Sequence, residues 1–492
     1  MSVVPAEARV SRRFALRSGV VAAGAVLGGA ALSACGASNR APTATRAAAA
    51  VYTLLWRPWY NFSGATSATG HELLMQGIQP WLDKHRGVQV NITYMGYHQP
   101  TVTAILAGTG PDVFADWVLP LYLAQHLLLD LTKYVQEDNV DLGIFPALDM
   151  DVFRQGGGLW ALPSYLHLQA PAVNLGLLDQ LALQYPDPSW TYAQWGALMA
   201  QLTNKSSDPK KQRRGGWFYW SSYDDWGGAP APYYLKGFGG EYVDPGNPAK
   251  SYLSSSGTEQ CLSWIAGLIA DGVAGTGPLD FVTGQQAITW MNTAGGLIPI
   301  AQNGGALKWQ LYDEMVFPRG RVAFAASDFY AVSAATKNPD IAWSFMKYLT
   351  VESDWQKWMV HLALNGPNQK QLYPFWEETV KQVATRLADI DLNVFTRQMV
   401  ENQPYFGLLY KYQDQASGQT IKADLAPVWN NPQGVAAACR QAAAQVDALQ
   451  AQGAQEARTS PTLTLTQERR QYAAQHAAEV QGLADMFSSG RA

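Results

Sequence analysis

Apolar and polar positions in the first part of the chain switch repeatedly between two periods. Val51-Tyr-Thr-Leu-Leu-Trp56 is a short apolar run, rich in β-formers at its start, and predicts a buried strand. From His71 to His85, Leu74, Ile78, Trp81 and Leu82 recur on one side at helical spacing. Val88 to Tyr94 alternates and predicts a second strand. Pro100 to Ala107 opens a helix that Gly108-Thr109-Gly110-Pro111 stops, and Asp112 to Trp117 is strand-like again. Strands taking turns with helices predict an α/β layer structure around a mainly parallel sheet. In such sheets ligands sit beyond the carboxyl ends of the strands. Trp56, Asp116 and Trp117 all fall at such ends.

The middle of the chain is aromatic and Gly-rich, with Gly215-Gly-Trp-Phe-Tyr-Trp-Ser-Ser-Tyr-Asp-Asp-Trp226 followed by Gly237-Phe-Gly-Gly-Glu-Tyr242. Helices are predicted near 258–271 and 338–349, the second opened by Asn338-Pro339-Asp340 as cap and first turn. Trp343, Phe345, Trp355 and Trp358 recur at helical spacing and are expected in the core. Residues from about 434 to 486 are Ala/Gln-rich and helical, with a break around Arg458-Thr-Ser-Pro461. No solenoid-type repeat is present.

The first 34 residues form a targeting segment. Ser11, Arg12 and Arg13 supply charge, and an Ala/Gly/Val/Leu run extends from Val20 to Leu32. That run is too short and too Gly-rich for a stable spanning helix and suits a signal h-region. Leu32-Ser-Ala-Cys35 resembles a bacterial lipobox, which implies cleavage before Cys35 and a diacylglycerol on its thiol. Ser-Arg-Arg-Phe-Ala-Leu-Arg also resembles a twin-arginine signal, although Phe14 sits one place early, so either export route fits. Residues 35–50 are small and polar and read as a tether.

Composition narrows the function. The chain has 492 residues, enough for two or three domains. Hydrophobic residues make up 48%, which excludes disorder of the whole chain. The net charge is −4, from 35 basic and 39 acidic residues. No basic excess exists to neutralise phosphates, so no nucleic-acid partner is expected. The unusual numbers are 18 Trp, 23 Tyr and 16 Phe, more large rings than a core alone absorbs, so some should line a surface or cleft. Besides Cys35 there are two cysteines, Cys261 and Cys439, which either pair or stay as buried thiols. No CxxC or Cys/His cluster suggests a metal site, and no cofactor motif appears.

Four stretches carry a resemblance to a family. They are Gln79-Pro-Trp-Leu-Asp-Lys-His-Arg-Gly-Val-Gln-Val90, Ala107-Gly-Thr-Gly-Pro-Asp-Val113, Gly158-Leu-Trp-Ala-Leu-Pro163 with Pro188-Ser-Trp-Thr-Tyr-Ala-Gln-Trp195, and Lys337-Asn-Pro-Asp-Ile-Ala-Trp-Ser-Phe-Met-Lys-Tyr-Leu349. In this order, behind a lipobox, they resemble the family 1 extracellular solute-binding proteins, the sugar-binding lipoproteins of ABC importers. The resemblance implies a two-lobe α/β fold of the type II periplasmic-binding-protein kind, with hinge-linked lobes and a ligand cleft between them. Lobe one would take 51–163 plus 329–370, and lobe two 167–326 plus 371–486, with the first crossover near Pro163-Ser164-Tyr165. It also implies a monomer, anchored by lipid to the extracytoplasmic face of the cell membrane. Such a protein passes a mono- or oligosaccharide to the transmembrane subunits of a permease.

A sugar ring has an apolar C–H face that packs on flat aromatic rings. Its hydroxyls donate and accept, and so need polar side chains around the rim. Carried over by local pattern, the family's ligand site falls on Trp56, Asp116, Trp117, Tyr165, His167, Tyr223, Asp224, Trp226, Trp290, Asn292, Asp328 and Phe329. The family often has Gly-Gly where this chain has Ala326-Ser327, a departure that bears on cleft shape. Catalytic patterns are missing: no P-loop, no HExxH and no GxSxG elbow occurs. Asp224-Asp225 and Asp313-Glu314 are adjacent carboxylates, a pattern that is usually just solvated. An enzyme is therefore not expected. The alternative class is a secreted carbohydrate-active enzyme or a surface carbohydrate-binding adhesin, since a glycosidase also needs carboxylates at a sugar cleft.

The anchor has its own test. Cys35→Ala should lose acylation and leave the membrane fraction for the soluble one; retention in the membrane fraction would show a different anchor.

Overall fold

The structure, a computed structural model, describes residues 52–59, 68–123, 125–146, 150, 153–155, 157–218, 232–244, 247–275, 279–293, 296–297, 300, 307–322, 324–398 and 421–459. Strand β1 (Tyr52–Arg57) buries Leu54 and Trp56 completely on one side. Helix Ala68–Lys84 then lays Leu74, Ile78 and Trp81 on the same core. Strand β2 (Val88–Ile92), helix Gln99–Leu106 and strand β3 (Val113–Asp116) follow, and β1 pairs in parallel with both β2 and β3.

Four more strands complete one seven-stranded sheet: β4 (Leu162–Asn174), β5 (Ile288–Asn292), β6 (Trp309–Leu311) and β7 (Ala325–Val332). The order is β6-β4-β7-β3-β1-β2, with β5 also paired to β4. The sheet is not mainly parallel as expected. Strand β7 runs antiparallel to β3 and β4, and β5 and β6 run antiparallel to β4. Parallel pairing needs a crossover helix after each strand. That pattern holds for β1 to β3; β4 runs the same way as β3, both being antiparallel to β7, while β5, β6 and β7 return from the opposite end.

All 13 residues of β4 are buried, and its side chains alternate between different cores. Leu166, Leu168, Ala170 and Ala172 point to one face, against Trp376, Leu387 and Phe395. On the other face Tyr165 belongs to the core built on β1–β3 and on helices Pro339–Thr350 and Ser353–Ala363. Val173, on that same face, belongs to a separate core holding Trp195, Phe218, Ile265 and Trp290. Between Tyr165 and Val173 the same face presents His167, Gln169 and Pro171. Trp343, Phe345 and Trp355 are buried in the first of these cores, as their spacing predicts, and Trp358 is partly buried against it. Cys261 and Cys439 are buried free thiols of the core around Trp195. Burial pushes the thiol of Cys261 well up, with the neighbouring Cys439 adding to the effect.

The pairing of β4 with β7 slips between Asp328, opposite Tyr165, and Phe329, opposite Pro163. Ser164 is thus the extra residue of a β-bulge, beside a proline that has no N–H to give. The carbonyls freed there are met by buried amides. Asn368 Nδ2 donates to Pro163 O at 2.6 Å and to Thr350 O at 3.0 Å. Gln356 Nε2 donates to Ser164 O at 2.9 Å. Next along, Leu166 N donates to Gly366 O at 2.9 Å. A Cβ on Gly366 would stand 2.9 Å from Leu166 O, so only glycine lets this segment lie so close.

Asn368→Ala should lower stability by roughly 1–3 kcal/mol, because it strands the buried carbonyl of Pro163, while Thr350 O keeps Gln369 Nε2 as a donor at 3.0 Å. Urea unfolding of both proteins checks this; a loss too small to measure would show that the amide is not holding the bulge.

Candidate functional site

Each parallel strand delivers an aromatic residue just beyond its carboxyl end. Trp59 follows β1, Tyr97 and His98 follow β2, and Trp117 follows β3. These rings touch one another. Trp59 lies 5.0 Å from Tyr97, 4.9 Å from Trp117 and 5.7 Å from Tyr165, centroid to centroid. Tyr97 lies 4.6 Å from Trp117, and the His98 ring meets Trp117 edge-on at 4.4 Å. Trp117 and Tyr97 are half-buried, so the group presents aromatic surface as well as core.

Behind the rings sits Asp116, with 0% exposure. Its carboxylate accepts from the backbone N–H of Trp117 at 2.7 Å, of Val118 at 3.2 Å and of His98 at 3.2 Å. Tyr122 donates its hydroxyl to the same group, and His98 Nδ1 lies 2.8 Å from Oδ1. Burial alone would push this carboxyl up. His98, Arg57 and Tyr122 outweigh burial and hold it well below the usual carboxylate range. Arg57, equally buried, is 3.8 Å from Asp116, and it donates to Met95 O and to Ala115 O. Its guanidinium also lies over the Tyr97 ring, 3.8 Å from the centroid.

The β4 face supplies polar neighbours. Asp328 of β7 stands across from Tyr165, and Asn292 of β5 across from Gln169. His167 is 9% exposed, its ring meets Phe324 edge-on at 5.1 Å, and its Nε2 has no hydrogen bond to protein. Burial lowers its pKa to about 4, so the imidazole is neutral at neutral pH. An aromatic layer and a polar floor thus adjoin on one face, between two cores. Among the described residues, no group of three His, Cys, Asp or Glu side chains is placed to hold a metal ion.

Comparison with known proteins agrees with this architecture. The model of the bacterial extracellular solute-binding protein family matches residues 67–354. The chain belongs to that family. An ABC substrate-binding protein from Listeria monocytogenes, solved in complex with cycloalternan, has a TM-score of 0.65 at 15% identity. That alignment covers 82% of this chain and 99% of that one. A solute-binding protein from Thermotoga lettingae, bound with alpha-D-tagatose, gives 0.63 at 15% identity, covering 81% and 100%. The sugar-binding protein MalE from Xanthomonas citri gives 0.63 at 15% identity, covering 83% and 100%. Among curated protein sequences none matches the chain. The fold is the type II periplasmic-binding-protein fold, two hinge-linked lobes with a cleft between them.

In this solute-binding protein the expected site residues fall into distinct places. Trp117, Tyr165, His167, Asn292 and Asp328 gather around the β4 face. Trp56 does not: it is 0% exposed and packs on Phe345 and Trp355, at 5.3 and 5.5 Å. Trp56 shares the buried face of β1 with Leu54, and Trp59, past the strand end, meets the ring group in its place. Phe329 is also core, against Phe153 and Tyr122, because it follows Asp328 in β7 and successive strand side chains point to opposite faces. Asp116 lies behind the rings, with both oxygens engaged by protein donors. Tyr223, Asp224, Trp226 and Cys35 lie outside the described residues. Trp59, Tyr97, His98, Arg57 and Gln169 went unmarked in the sequence, although Trp59 and Tyr97 carry the signal of an aromatic just past a strand.

Trp290 sits in the Trp195 core, where its Nε1 donates to Glu314 Oε2 at 2.7 Å. Glu314 is 1% exposed, contrary to the solvated pair expected of Asp313-Glu314. Burial pushes its carboxyl up to about 7; donation from Trp290 and from Met315 N and the nearby Arg321 offset this only in part. The folded protein therefore holds this proton to higher pH than the unfolded chain, whose value is near 4.5. The stabilisation is complete below that value and is lost as pH rises to about 7. Its full size is roughly 3 kcal/mol. Glu314→Gln, which keeps an acceptor for Trp290, should flatten this part of the stability-against-pH curve between pH 4.5 and 7. An unchanged slope in denaturant titrations would place the titrating group elsewhere.

Proposed function

We propose that this protein captures a carbohydrate outside the cytoplasmic membrane and delivers it to the permease of an ABC importer. The observation that carries this reading is the group Trp59, Tyr97, Trp117 and Tyr165, brought together at the carboxyl ends of three parallel strands and at the start of β4. It adjoins the polar floor of His167, Gln169, Asn292 and Asp328. Flat rings offer the apolar face of a pyranose a wide contact at little entropic cost, and the floor offers acceptors and donors to its hydroxyls. The sugars bound by the similar Listeria and Thermotoga proteins support the class of ligand.

Tyr223, Asp224 and Trp226 belong to the proposed site through the family resemblance, as does anchoring by Cys35. No helix among the described residues is long and apolar enough to cross a membrane, and attachment through a lipid needs none. Catalysis of glycoside hydrolysis would need two carboxylates facing the sugar. Asp116 is wholly occupied by protein donors, and Glu314 is buried against Trp290. Binding without turnover is the reading that this arrangement favours.

Calorimetry against tagatose, maltose, mannotriose and cycloalternan should give saturable binding to at least one. Trp117→Ala should weaken it tenfold or more, about 1.4 kcal/mol. Silence across the sugars, with heat from a peptide or a polyamine instead, would remove carbohydrate from the account.

A further inference from the structure

We propose that Asp116, His98 and Arg57 form a positioning unit that sets the aromatic layer of the site in its binding arrangement before any ligand arrives, and that Asp116 does not itself contact the ligand. The inference rests on the carbohydrate reading of that layer and goes on to name what holds it in place.

The unit reaches Trp117 and Tyr97 of the layer by three routes, one of them through its own His98. Asp116 accepts from the backbone N–H of Trp117 at 2.7 Å and of Val118 at 3.2 Å, which fixes the chain as it leaves β3 and aims the Trp117 ring. It accepts again from His98 N and holds the His98 ring through Nδ1 at 2.8 Å, which fixes the chain after β2. Arg57 stacks on Tyr97 and donates to Met95 O at 3.2 Å, so the same loop is gripped from β1. The loop pays a conformational cost for this arrangement. His98 has φ 59° and ψ −113°, a backbone region that a residue with a Cβ rarely enters. Such a conformation persists only where its surroundings over-determine it, and here the His98 backbone N–H and ring are both tied to one carboxylate while the ring packs on Trp117. A buried ion pair is weak evidence of stabilisation, since well-packed apolar side chains do as well. Its distinctive property here is direction: the carboxylate orients N–H donors from the segments after β2 and β3, while the guanidinium holds Met95 O and the Tyr97 ring.

The strain supplies a discriminating variant. His98→Gly relieves the backbone and removes the imidazole. If His98 serves only the turn, the variant should equal or better the wild type in every respect. If the unit positions the rings, the variant should fold and melt within about 2 °C of wild type, yet lose ring order and affinity. The full chain is labelled with 5-fluorotryptophan, and the Trp59 and Trp117 fluorine resonances are assigned from single Trp→Phe variants. The expected result, without sugar, is that both resonances shift or broaden in His98→Gly and in Asp116→Asn. Affinity for whichever of tagatose, maltose, mannotriose and cycloalternan the wild type binds should fall tenfold or more. Resonances at wild-type positions in a folded His98→Gly protein overturn the proposal, as do shifted resonances with undiminished affinity. Should Asp116→Asn fail to fold, His98→Gly decides alone. Should the wild type bind none of the sugars, the functional reading fails by itself, and the fluorine spectra of the free protein still decide the positioning claim.

Discussion

Strand β4 has to satisfy three cores with one run of backbone. Its even-numbered face between Leu166 and Ala172 closes on the helices around Trp376, and its other face passes from the β1–β3 core at Tyr165 to the Trp195 core at Val173. Between those two points the second face presents His167 and Gln169, buried yet polar, with Phe324 of the Trp195 core against the His167 ring. Burial of a polar group is costly unless partners offset it. A face of this kind is consistent with a site that exchanges polar partners.

The bulge at Ser164 follows from the same constraint. A regular ladder through Pro163 would lose a hydrogen bond at the proline. The extra residue sets Asp328 opposite Tyr165 and Phe329 opposite Pro163, and strand alternation sends Phe329 into the core. Two carbonyls are freed in the process, and Gln356 of helix Ser353–Ala363 and Asn368 beyond that helix satisfy them. The polar floor and the buried amides behind it are thus two consequences of one irregular pairing.

Much of this was legible in the sequence, for physical reasons that differ by element. The alternation of β1, β2 and β3 with amphipathic helices was readable because each has a period and a stop signal; helix Pro339–Thr350 announced itself through Asn338, whose side chain accepts from Ile341 N. The family was readable from four ordered stretches. Parallel against antiparallel pairing was not, because direction in a sheet depends on where a distant segment returns. Trp56 and Trp59 show the limit for the site: both are buried in one core, and only the fold decides that Trp56 meets Phe345 and Trp355 while Trp59 meets Tyr97, Trp117 and Tyr165. Asp116 shows another limit. A carboxylate at a strand end has the composition of a ligand contact, and only the donors converging on it, from residues 57, 98, 117, 118 and 122, reveal that it is spent within the protein.

We propose that the two lobes of the fold close over a sugar bound at the aromatic layer and the polar floor beside it. Pulsed electron–electron spin distance measurement between labels at Glu72, in the stretch expected for lobe one, and Gln201, in that expected for lobe two, tests it most directly; both positions are exposed. The account predicts a distance that shortens when a bound sugar is added to saturation. An unchanged distance at saturation would contradict it.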